Sequence, residues 1–68
     1  MRIVYDGQAD ALSLVFWETE PESSRELAPG VIVNLDRQGN AVAIEVLGAR
    51  ARIGKKALSL IAIDLQDL

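Results

Sequence analysis

Sixty-eight residues, none of them cysteine or histidine, allow one small domain and exclude disulfides, thiolate metal sites and histidine proton shuttles. A formal net charge of -3 with half the residues apolar gives no electrostatic case for nucleic acid or an anionic membrane as the main partner. No apolar run approaches the roughly 18 residues a membrane span needs, and Met1-Arg2 leads straight into Ile3-Val4-Tyr5 without a signal-peptide pattern, so a cytoplasmic location is expected.

Arg2-Ile3-Val4-Tyr5 is a β-branched and aromatic run that Asp6-Gly7 ends with turn chemistry, which predicts a first strand. Leu12 to Trp17 alternates as a second strand, antiparallel to the first, with Leu12, Leu14 and Phe16 on one face and Ser13, Val15 and Trp17 on the other. Glu18 to Ser24 is polar, acidic and interrupted by Pro21, so it reads as an exposed connection. Arg25 to Ala28 is a short edge strand closed by Pro29-Gly30, and Val31 to Leu35 is a strand with Val31, Val33 and Leu35 on one face.

Asp36-Arg37-Gln38-Gly39-Asn40 carries the strongest local signal, an aspartate that opens a turn and a glycine inside it, as a short hairpin loop requires. The returning strand, Ala41 to Leu47, sets Val42, Ile44 and Val46 against Ala41, Ala43, Glu45 and Leu47, and Gly48 marks its end. In the tail, Leu58, Ile61 and Leu65 fit a helical stripe, while Ile61, Ile63 and Leu65 also fit strand alternation. Residues 55–66 are read as helix, with strand left open. The expected fold is α+β, mainly β: one domain over residues 1–68, an antiparallel meander of four to five strands with one C-terminal helix.

Two of these strands carry apolar side chains on both faces. A tail helix can cover one face, burying three or four large side chains at roughly 1.5–3 kcal/mol each. The other face or an edge is then left for a second chain, so a homodimer is expected, with Val15, Trp17 and Leu47 as candidate interface residues. Trp17, at the end of an apolar strand beside the acidic connection, is either core or an interface anchor.

Tyr5-Asp6-Gly7-Gln8-Ala9-Asp10-Ala11-Leu12 resembles the opening signature of domain-of-unknown-function family 2283, in which Tyr-Asp, two variable residues and Ala-Asp-Ala-Leu precede an alternating strand. Ala28-Pro29-Gly30-Val31-Ile32-Val33-Asn34-Leu35-Asp36, then the glycine-containing turn and Ala43 to Leu47, are similar to the same family. Gly7 stands where proline is frequent, and Gly48-Ala49-Arg50 where an Asp-Ala-Ser type segment is usual, so a role for that acidic residue does not transfer. The resemblance implies a small antiparallel sheet with a terminal helix, in short stand-alone prokaryotic proteins of no established activity. It carries over no catalytic residue, and it implies an antitoxin-like pairing with small toxin-like proteins in two-gene units.

Asp6 and Asp10 share one connection and, with Glu45, are the candidates for a hard-cation or acid–base site. Capping of nearby backbone amides is the favoured reading of both aspartates. Asp36 to Asn40 lacks the alternating acidic ligands of a calcium loop, and Glu18, Glu20, Glu22 and Glu26 form a solvated acidic stretch. Arg50, Arg52, Lys55 and Lys56 hold four of the seven basic residues. They are read as a solvated linker before the last helix, or as an anion, nucleic-acid or acidic-partner contact, with Tyr5, Phe16 and Trp17 far away in sequence. No histidine is present to activate Ser13, Thr19, Ser23, Ser24 or Ser59, so nucleophilic catalysis is not expected. A non-enzymatic, homodimeric protein-interaction domain without cofactor is the first functional expectation. A nucleic-acid-binding module on the basic cluster is the alternative, and a carboxylate-based metal binder or enzyme the least favoured.

Overall fold

The computed structural model describes residues 1–59. Five strands, β1 (Arg2–Asp6), β2 (Ala11–Val15), β3 (Ser23–Ala28), β4 (Val31–Leu35) and β5 (Ala41–Leu47), make one antiparallel sheet. They are followed by the four-residue helix α1 (Ala49–Arg52) and by a second helical stretch, α2, at 55–59. The strands predicted from alternation are all present, and the mainly β class holds.

The spatial order β1-β2-β5-β4-β3 corrects the simple meander. A meander would place β3 in the middle of the sheet. Its sequence Ser-Ser-Arg-Glu-Leu-Ala is exposed at every position and belongs at an edge, whereas β5, with Val42, Ile44 and Val46 on one side and small alanines on the other, tolerates cover on both. The connection over residues 16–22 therefore crosses the ends of β5 and β4, three strand spacings or roughly 14 Å. It is held at one end by the Phe16 and Trp17 amides, both donating to the Val42 carbonyl (2.8 and 3.2 Å), and at the other by the Glu22 amide donating to the Leu35 carbonyl (2.8 Å).

In place of the expected single C-terminal helix, the described residues hold two separate helical stretches. Gly54, at φ +102°, takes a conformation no helix continues through, and it separates α1 from α2. Arg50 and Arg52, read as part of a linker, lie inside α1. Ile61, Ile63 and Leu65, on which the choice between helix and strand rests, lie outside the described residues.

The register lines up two largely apolar rungs on one face, Ile3-Leu14-Ile44-Val33, which ends on Arg25 of the edge strand, and Tyr5-Leu12-Val46-Val31-Ala28. On the opposite, polar face run Arg2-Val15-Ala43-Asn34-Ser24 and Val4-Ser13-Glu45-Ile32-Glu26. These are the faces that alternation assigns as far as Asn34; beyond it a register shift sets Leu35 against Ala41, which alternation places on opposite faces. Among the described residues, Leu12, Val33, Val42, Ala43 and Ala49 are the buried apolar ones, a thin core for one sheet layer. Ala43 is buried although it lies on the polar face, where Thr19 and Pro21 of the crossing connection line a groove with it. No helix among the described residues is long and apolar enough to cross a membrane.

Candidate functional site

The polar face carries a groove of about 380 Å³ between the strands and the crossing connection. Val15 and Ala43 give it apolar walls, Ser13, Asn34 and Glu45 give it polar ones, and Trp17 stands at its border. Trp17 leaves the sheet just after β2 and is 67% exposed. Arg2 closes one side: its Nε donates to Glu18 Oε1 at 2.6 Å and its Nη2 to Glu18 Oε2 at 3.2 Å. That pairing holds the Glu18 carboxyl below its ordinary value and the Arg2 guanidinium above. Leu47, opposite Ala11 on the same face, is 42% exposed at the other end of the sheet. Val15, Trp17 and Leu47 thus share a face, but only the first two meet at the groove.

A second constellation sits above the β1–β2 turn. Asp10 adopts φ +53°, the left-handed region that aspartate enters more readily than most residues. Its carbonyl accepts the Ala49 amide at 3.0 Å, and its carboxylate accepts the Arg50 amide at 3.1 Å and the Tyr5 hydroxyl at 2.7 Å. Arg50 in turn donates from Nη2 to the Gly7 carbonyl at 3.2 Å, with its guanidinium carbon 5.9 Å from the Tyr5 ring centre. The bond from Tyr5, and after it the Arg50 amide and charge, hold the Asp10 carboxyl below its ordinary value; the same bond raises the Tyr5 phenol, against the pull of Arg50. The sequence predicts a local cap at Asp10, yet its amide partner lies 40 residues away. This clasp ties the β1–β2 hairpin to the start of α1.

Asp6 behaves as expected, accepting the Gln8 and Ala9 amides at 3.0 and 3.2 Å. Asp36 does the same for Gln38 and Asn40 at 2.9 and 2.8 Å, and the Asn40 amide foremost lowers its carboxyl. Asp6, Asp10 and Glu45 are not brought together, and among the described residues no three acidic groups are placed to hold a metal ion.

The family described as Protein of unknown function (DUF2283) matches residues 2–50. The chain belongs to that family. No curated protein and no solved structure matches the chain. The DUF2283 match ends within α1, so it takes in the whole clasp, Tyr5, Asp10 and Arg50, and leaves Arg52, Lys55 and Lys56 beyond it. In the Tyr5-Asp6 and Ala9-Asp10-Ala11-Leu12 segments of this chain, each aspartate serves the backbone, since Asp6 closes the turn and Asp10 receives α1.

The basic cluster is divided in the structure. Arg52 donates from Nε to the Leu47 carbonyl at 2.8 Å and lies against Gly30, so it fastens the β3–β4 turn to the end of β5. Lys55 and Lys56 are exposed at the start of α2. Tyr5, Arg50, Lys55, Leu58 and Ser59 line a cleft of about 290 Å³. The fold thus brings to the cluster an aromatic ring that is distant from it in sequence. Neither the Arg52–Gly30 contact nor the reach of Asp10 to Arg50 leaves a local signal in the chain.

Proposed function

We infer that this protein is a non-enzymatic, prokaryotic-type cytoplasmic domain that works by binding protein, as a homodimer and through its polar face. Trp17 carries the reading. A large aromatic ring held 67% exposed at the border of an apolar-walled groove is the kind of side chain that dominates interface energetics once a partner covers it. Glu18 on the groove and Glu20 and Glu22 in the same connection favour a partner with a basic surface. A small toxin-like partner, as the family resemblance implies, is the specific form of this reading. The absence of cysteine and histidine from the sequence, together with aspartates occupied by backbone amides, supports a binding rather than a catalytic role.

The test is parallel capture with the native chain and with Trp17→Ala, followed by titration of the purified partner. A partner held by the native chain should lose affinity by roughly 30-fold in the variant, as expected for an interface anchor of about 2 kcal/mol. Equal binding by both proteins, or recovery of background alone, refutes the reading.

The cleft formed by Tyr5, Arg50 and Lys55 favours nucleic acid as a second reading. Lys55→Ala with Lys56→Ala tests it without disturbing the arginines that hold carbonyls. A low-salt gel shift abolished by those two changes supports it, and a shift they leave unchanged, or none at all, refutes it.

A further inference from the structure

We propose that β1 is a self-pairing edge through which two copies of this chain join into one continuous antiparallel sheet, about a two-fold axis at Val4. This rests on the association reading above and specifies its geometry.

The direction of the backbone groups follows from the register. The Phe16 amide donates to the Val42 carbonyl one step beyond the pairing of Val15 with Ala43, so the even-numbered residues of β2 exchange bonds with β5 and the odd-numbered ones with β1. The Leu47 amide donating to the Gly30 carbonyl gives the same parity from the β4 side of β5. Val15, Ser13 and Ala11 lie opposite Arg2, Val4 and Asp6, which therefore bond inward. Ile3 and Tyr5 direct their amides and carbonyls outward, and among the described residues β1 is the last strand on that side.

An antiparallel copy centred on Val4 uses the whole strand. Ile3 exchanges both backbone bonds with the partner's Tyr5, and Tyr5 with the partner's Ile3. On the apolar face this sets a β-branched side chain beside an aromatic one, and on the polar face it sets Arg2 directly against the partner's Asp6, a favourable opposite-charge pair. Arg2 gives Glu18 two of its donors, and the rest of the guanidinium's five remain for a second carboxylate. A shift of two residues either way brings Arg2 or Asp6 against valine and loses the charge match. The opposite edge is unlike this one. β3 has a register break between Glu26 and Ala28 and runs into Pro29-Gly30, features that protect an edge from pairing, while β1 has no break, proline or lysine.

The test uses the absence of native cysteine. Val4 on the axis meets the partner's Val4 as a non-hydrogen-bonded pair, with Cα atoms about 4.5 Å apart, inside disulfide range. Under mild oxidation Val4→Cys should cross-link on the order of tenfold faster than Thr19→Cys, through the effective concentration that pairing supplies. Ile3→Cys and Tyr5→Cys should stay near the Thr19→Cys rate. Sedimentation of the native chain at about tens of micromolar runs alongside, and circular dichroism confirms that each variant folds. A native dimer whose Val4→Cys form cross-links selectively supports the proposal. A native dimer in which Val4→Cys is no faster than Thr19→Cys, or Ile3→Cys is fastest, overturns the β1 geometry and leaves self-association standing. A native monomer overturns both, while partner capture through Trp17 is judged by its own assay.

Discussion

Replacing Gly30 by alanine probes how the β3–β4 turn, the end of β5 and α1 are fastened. Gly30 sits at φ +77°, where an alanine costs roughly 1–2 kcal/mol. Its Cβ would lie 2.5 Å from Arg52 Nε and 2.7 Å from Cζ, well inside contact distance, so the guanidinium must swing away. In leaving, it gives up the 2.8 Å bond to the Leu47 carbonyl, worth about 1 kcal/mol at an exposed site. The loss totals about 2–3 kcal/mol, a large share of the roughly 3–10 kcal/mol that 68 residues supply at about 0.05–0.15 each. Arg52→Ala alone should cost about 1 kcal/mol by removing the same bond. The double variant should then be about 1 kcal/mol less destabilised than the two single losses added together. Urea unfolding followed by far-ultraviolet circular dichroism, at fixed protein concentration because association adds apparent stability, reads these values directly. Single losses that simply add, or a Gly30→Ala loss well under 1 kcal/mol, would refute the contact.

Leu12→Ala should cost about 2–5 kcal/mol, measured by the same unfolding assay, because Leu12 is 4% exposed and its removal leaves a cavity in a thin core. Trp17→Ala should change stability by no more than about 0.5 kcal/mol, since the ring is mostly in water; a large loss would make Trp17 a core residue instead. With a single tyrosine in the chain, phenolate absorbance should titrate above the ordinary value of 10.0, and Asp10→Asn should move it back toward that value. The Asp36 carboxyl is held below its ordinary value of 3.8, so its stabilisation is complete above that pH and is lost as pH falls through the lower folded value. Asp36→Asn should therefore be less stable at neutral pH and show a shallower acid loss below about pH 4, read from thermal midpoints across pH.

Alternation along Leu12 to Leu14, Val31 to Asn34 and Ala43 to Leu47 is enough to decide which side chains share a face, because an unbroken strand has a period of two; the register shift that sets Leu35 against Ala41 is not legible there. The aspartate turns at Asp6 and Asp36 are equally legible, since an Asx turn needs only the residues next to it. Strand order is not. Whether β2 pairs with β3 or with β5 depends on which strand can be covered on both sides, and that is a property of the assembled sheet, not of any one segment. The clasp from Asp10 to Arg50 and the seat of Arg52 on Gly30 lie beyond local reading for the same reason: each joins groups far apart in the chain, and only the closed tertiary structure brings them within hydrogen-bonding or contact distance.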